Sequence, residues 1–198
     1  LEDIRSKYYV KDGLIENAIR RIETAVLKGK KILVVVNTIE ACQSLSQKLS
    51  KLKPICYHSR FILKDRKSIE EKINKTLNEF SRSHLLIATQ AIEVSLDIDY
   101  DWLFTECAPP DAIAQRAGRV NRYRNPKRDS RVYIFKASEK SKKIYNPIND
   151  SALLNRSFES FQNAHRDISE KDLVELVEKV YKNYKIEDTG SFKDAIVQ

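Results

Sequence analysis

Five consecutive apolar residues, Ile32-Leu33-Val34-Val35-Val36, constrain this chain more than any other stretch. A strand with one wet face alternates apolar and polar side chains, so a run without alternation must be covered on both faces. Its β-branched content argues for strand over helix. The run therefore reads as a central strand of a parallel sheet, and the surrounding sequence repeats the pattern. Tyr8-Tyr9-Val10 reads as an edge strand, and Ile15, Ala18, Ile19, Ile22, Ala25 and Val26 fall at helical spacing before Gly29. Asn37-Thr38 should cap a helix with Ala41, Leu45, Leu49 and Leu52 inward. Strands follow at residues 54–57, 85–88, 102–105 and 131–135, and a helix with Ile69, Ile73, Leu77 and Phe80 inward lies between the first two. Strands alternating with helices predict a doubly wound α/β fold, a mostly parallel sheet with helices on both faces. Ligands then lie beyond the carboxyl ends of the strands. That rule gathers His58 to Phe61, Thr89 onward and the approach to residue 110 along one rim.

Residues 1–136 read as this lobe, 137–165 as a polar linker or surface segment, and 166–198 as a helical extension whose stripe is Leu173, Leu176, Val177, Val180 and Tyr184. From Glu187 the tail is polar. At 198 residues the chain can bury a core of its own. Its 36 Lys and Arg against 28 Asp and Glu leave a net charge of +8, a surplus suited to an anionic partner such as nucleic acid. No apolar run reaches the roughly 18 residues a membrane span needs, and no leader pattern opens the chain. Cys42, Cys56 and Cys107 form no metal-type pair and read as reduced core residues, which suggests a cytoplasmic setting. His58 reads as a buried, satisfied histidine, and no metal site is expected. The lack of any methionine suggests a piece of something longer.

The densest cationic stretch is Gln115-Arg116-Ala117-Gly118-Arg119-Val120-Asn121-Arg122. Pro109-Pro110-Asp111 before it supplies a stop and an acceptor for capping a helix. On a helix, residues three apart share a face, so Arg116 with Arg119, and Arg119 with Arg122, would point together. Guanidinium forks fit phosphate oxygens, and two on one face suit a polyphosphate; a solvated basic face is the plainer reading.

Together with Ala88-Thr89-Gln90-Ala91-Ile92-Glu93-Val94-Ser95-Leu96-Asp97-Ile98-Asp99, this stretch resembles motifs V and VI of superfamily 2 helicases, and Val34-Val35-Val36-Asn37-Thr38 resembles motif IV. The version, preceded by Tyr57-His58-Ser59-Arg60-Phe61, is similar to that of the CRISPR-associated helicase-nuclease of type I interference, the Cas-three family. The resemblance implies a RecA-like three-layer lobe, the second of two. It makes Arg119 and Arg122 arginine fingers for the terminal phosphates of ATP, and Gln115 a residue that places the nucleotide or the attacking water. Asp97, Glu93 and Gly118 fall on the nucleotide side. Asn37, Thr38, Ser59, Arg60, Thr89 and Gln90 would hold the phosphates of a single-stranded DNA. Implied partners are the first RecA-like lobe, an HD-type nuclease domain and a guide-RNA surveillance complex.

The chain carries no G-x-x-x-x-G-K-[ST] loop and no D-E-A-D-type segment, so ATP and Mg2+ would be bound mainly by the absent first lobe. The isolated chain is then expected to be inactive. Two other readings stay open: an RNA helicase lobe of the DEAD-box type, which usually has glycine where Ser95 stands, and a non-enzymatic nucleic-acid-binding or docking module.

Overall fold

A computed structural model describes residues 4–78, 84–95, 97–145 and 152–182. Among the described residues six strands form one sheet: β1 (Lys7–Lys11), β2 (Lys31–Val35), β3 (Ile55–Tyr57), β4 (His84–Ala88), β5 (Trp102–Glu106) and β6 (Arg131–Phe135), in the order β1-β6-β5-β2-β4-β3. Every pairing between these strands is parallel. The helices are α1 (Ile19–Leu27), α2 (Ile39–Lys48), α3 (Leu63–Asn78), α4 (Ile92–Ser95), α5 (Pro110–Ala117), α6 (Glu139–Ile144), α7 (Leu153–Gln162) and α8 (Glu170–Tyr181).

The apolar run behaves as its composition requires. In β2, Ile32 and Val34 enter a core with Ile22, Val26, Leu45 and Phe104, while Leu33 and Val35 enter a second core with Ile73, Ile113, Val120 and Phe161. Because successive side chains leave opposite faces of a strand, a sheet covered twice needs apolar residues at every position. Gly29, at φ +80°, ends α1 in a conformation that L side chains rarely adopt.

Three expectations are corrected. Asn37 does not share the capping of α2: Thr38 alone is the N-cap, its hydroxyl accepting from the Ala41 amide at 3.0 Å, while Asn37 is buried. Asp111 does not cap α5 either; Pro109 occupies that position and makes no side-chain cap. The segment expected as a linker carries α6 and α7, and Leu153, Leu154, Phe158 and Phe161 are buried. The sequence signal was diluted there by the lysines of α6, Lys140, Lys142 and Lys143.

The extension packs on this lobe. Leu176 and Val180 of α8 are buried, Tyr181 donates to Asp111 at 2.9 Å, and Glu170 pairs with Arg5 and Arg124. Phe80, Leu96, Tyr184 and the tail from Glu187 lie outside the described residues.

Candidate functional site

The arginine stretch is not one helix. α5 stops at Ala117, and Val120 then pairs with Tyr100 as a single parallel rung: the Tyr100 amide donates to the Arg119 carbonyl at 2.9 Å, and the Asn121 amide donates to the Tyr100 carbonyl at 3.0 Å. Asn121 takes a positive φ of 46° and closes the turn with its own amide, accepting from Asn125 and donating to the Arg5 carbonyl. The helical argument that pointed three arginines together therefore fails. Rung and turn carry Arg119 and Arg122, while the helix carries Arg116, which meets the Glu93 carboxylate where Arg119 meets the Glu93 carbonyl.

Arg116 is fully buried, and each of its five N–H donors has an acceptor. Nε meets Glu93 at 2.7 Å; Nη1 meets the Thr105 hydroxyl at 2.9 Å and the Glu106 carbonyl at 3.1 Å; Nη2 meets Asn37 Oδ1 at 3.0 Å and Tyr145 at 3.3 Å. Neither a solvated basic face nor a phosphate fork describes it. It is a charged brace between α4, the residues just past β2, and the end of β5. Nothing in the spacing separated it from Arg119, since both precede small or β-branched residues in one cationic stretch.

Arg119 is half-buried and donates to the Glu93 carbonyl at 2.6 Å. Burial, and after it the charge of Arg122, disfavour its cationic form, whereas Asp97 favours it. Arg122 pairs with Asp97 at 2.6 Å, with 38% and 67% of the two side chains exposed, and its amide donates to Asp99 at 2.9 Å. Asp99 and Asp101 clamp Arg128, at 2.5 and 2.6 Å, and Asp101 also accepts from the Lys31 amide. The two-residue spacing Asp97, Asp99, Asp101 was the available signal for this fixation. Only Asp97 was read from it. Among the described residues no group of three His, Cys, Asp or Glu is placed to hold a metal ion.

Gln115 is exposed on α5. Gly118 contacts a different set of residues. Its carbonyl accepts from Arg5 at 3.3 Å, and it lines a cavity of about 340 Å3 between α5 and α8 with Tyr8, Ile168 and Val177. A Cβ there would lie 3.2 Å from the Gln115 carbonyl, so the glycine permits close packing at the helix end.

The strand-side candidates meet at the carboxyl rim. Asn37, Thr38, Ser59, Arg60, Thr89 and Gln90 line a groove of about 760 Å3, joined by Glu40, Arg66, Lys140 and Lys143. Their roles in it differ. Ser59 and Arg60 are exposed, and Thr89 is buried with its amide held by the Tyr57 carbonyl at 3.1 Å. Asn37 lines the groove but is buried, with its polar atoms committed inward: its Nδ2 donates to the Cys107 carbonyl, its Oδ1 accepts from Arg116, and its backbone amide donates to Glu106 at 2.7 Å. Gln90 Oε1 is buried without a partner. His58 is buried against Phe61, their rings 4.2 Å apart, but its Nδ1 has no partner, so it is buried without being satisfied. Burial and the Arg60 charge hold it below the usual histidine range.

The described residues include no helix long and apolar enough to cross a membrane. All three cysteines are unbridged.

Comparison with known proteins agrees with this architecture. Residues 28–125 match the family model described as CRISPR-associated nuclease/helicase Cas3, C-terminal. The putative CRISPR-associated nuclease/helicase Cas3 of Methanocaldococcus jannaschii is 30% identical over 187 residues, covering 90% of this chain. The chain spans 25% of that relative's length. The crystal structure of T. fusca Cas3-ATP superposes with a TM-score of 0.72 at 22% identity, over 98% of this chain and 26% of that one. A chain of a CRISPR RNA-guided surveillance complex in a pre-nicking state superposes with a TM-score of 0.70 at 20% identity, over 98% of this chain and 27% of that one. Family match, motif order and an all-parallel six-stranded lobe agree, and the chain belongs to the Cas3 family, as its C-terminal helicase lobe.

Proposed function

We propose that this chain is the second motor lobe of an ATP-driven translocase on single-stranded DNA acting in type I CRISPR interference, and that it completes a nucleotide pocket formed mainly by another lobe. The observation that carries the reading is that Arg122, bonded to the exposed Asp97, lies near enough to the half-buried Arg119 to disfavour its charge. Two neighbouring cations, one of them desolvated, make a place where an added anion is favoured. A phosphate oxygen can take the position of the Asp97 carboxylate on Arg122, since an exposed ion pair is weakly held. Asp97 then serves as a resting partner for the finger.

Bound ATP, with Mg2+ held chiefly by the first lobe, supplies the phosphoanhydride that is hydrolysed. This chain's contribution is charge: Arg119 and Arg122 neutralise the terminal phosphates, and Gln115 orients the attacking water. Such fingers are worth about 1,000-fold or more in rate. Glu93 links the two sides, because its carbonyl holds Arg119 while its carboxylate holds Arg116, which reaches Asn37 at the groove. In the groove, Ser59, Arg60, Thr89 and Gln90 grip strand phosphates without reading bases, and Thr38 sets the angle of α2. Gly118 acts through packing at the end of α5. The HD-type nuclease domain and the surveillance complex are partners of the assembled enzyme.

The test is reconstitution. The purified chain should not hydrolyse ATP; mixed with the first lobe of its parent protein, it should restore turnover stimulated by single-stranded DNA more than by RNA. Turnover by the chain alone, or stimulation by RNA only, would overturn the reading.

A further inference from the structure

The groove has a wall that the motifs do not include. Glu106, buried at the end of β5, accepts from the Asn37 amide at 2.7 Å, from the Ser141 hydroxyl at 3.0 and 3.1 Å, and from the Ser138 amide at 3.3 Å. Ser138 caps α6, its hydroxyl accepting from the Ser141 amide at 3.2 Å. One buried carboxylate thus fixes the end of β2 and the first turn of α6 to each other. Residues three apart on a helix lie on one face, so this anchoring puts Lys140 and Lys143 together on the groove side. Opposite them, across the mouth, Glu40 in the first turn of α2 meets Lys140 at 2.5 Å, with 71% and 74% of the two side chains exposed. Lys140 holds the Glu40 carboxyl below the usual carboxylate range. Among the described residues that line it, Glu40 is the only acid in a groove that also holds Arg60, Arg66, Lys140 and Lys143.

We propose that α6 is a strand-binding element, with Lys140 and Lys143 taking backbone phosphates of the nucleic acid in the groove, and that Glu40 is a competing anion which the strand displaces from Lys140. This rests on the reading of the groove as the strand site. An exposed lysine-carboxylate pair contributes little to stability, so exchanging its carboxylate for a phosphate costs little, while the strand releases counterions for each phosphate neutralised. Glu40 therefore lowers affinity for any polyanion and selects for ligands with enough phosphates to open the pair.

Titrating a fluorescein-labelled oligothymidylate with the chain reconstituted with its first lobe, over a series of salt concentrations, tests the proposal. Lys140→Ala with Lys143→Ala should weaken binding about tenfold at low salt. It should also reduce the slope of log affinity against log salt by about 1.4, from about 0.7 per single-strand phosphate contact. Glu40→Gln should tighten binding several-fold, and Glu178→Gln, on exposed α8 surface, should not. An unchanged salt slope in the lysine variant, with Thr89→Ala and Arg60→Ala still weakening binding, would overturn the role of α6 and leave the groove reading standing. Indifference of all these variants would remove the groove reading itself. Equal tightening by Glu40→Gln and Glu178→Gln would reduce Glu40 to net charge and overturn its role as competitor. Thermal melts of each variant separate loss of contact from loss of fold.

Discussion

Arg116, Arg119 and Arg122 share one stretch of sequence and have three different fates. Arg116 is enclosed with Glu93 as its counter-charge. Arg116→Met should cost about 3–5 kcal/mol in urea unfolding, because it strands a mostly buried carboxylate. Replacing both partners, Arg116→Met with Glu93→Leu, should recover part of that loss. Arg116→Lys should not rescue, since three donors on a flexible stem cannot meet five acceptors in a fixed fork. Arg119→Ala and Arg122→Ala should behave oppositely: near wild-type unfolding midpoints, but ATPase in the reconstituted enzyme reduced about 1,000-fold, with strand binding largely retained. Wild-type turnover in either variant would remove the finger assignment. Which arginine belonged to which class was not legible, because spacing predicts a shared face only while the helix continues. α5 ends one residue after Arg116.

Among elements, the strands and long helices were legible because each carries its period in its own side chains. β2 is the clearest case: both cores claim it, so it has no polar position from Ile32 to Val35. Caps were harder, since Asn37 and Thr38 are both good cap residues and only the chain path decides that Thr38 meets Ala41 while Asn37 turns inward. Thr38→Ala should cost about 1 kcal/mol of stability. An unchanged midpoint in chemical unfolding would mean that the helix start is held by packing alone. α6 was illegible for a related reason. Its two turns are mostly charged, and the residue that fixes them, Glu106, lies on a strand more than thirty positions earlier.

At the scale of the molecule, α8 covers α5, and the sheet places a histidine where its charge is not tolerated. His84 is buried, its Nδ1 2.9 Å from the Tyr100 hydroxyl and its Nε2 without a partner. Burial of Tyr100 raises its phenol well above the usual value, so the hydroxyl beside Nδ1 keeps its proton. Burial first, and the Lys31 charge second, depress the His84 pKa to about 4. The unfolded chain, with an ordinary value near 6.5, binds more protons between those limits, so stability is fully present above about pH 6.5 and falls as pH drops toward 4. The loss should be up to about 3 kcal/mol, and His84→Gln should flatten that part of the stability-pH curve. A slope identical to that of the wild type would show that His84 is not its source.

By itself the sequence determined the α/β class, the sheet's all-apolar centre and the family, because periodicity and motif order are written in neighbouring residues. The tertiary structure decided which cations face water and which are locked inside. It also decided that α8 belongs to this lobe and that α6 walls the groove. Those outcomes depend on acceptors such as Glu93, Glu106 and Asp111, which reach their partners only when distant segments are brought together, and a charge's role is set by what surrounds it.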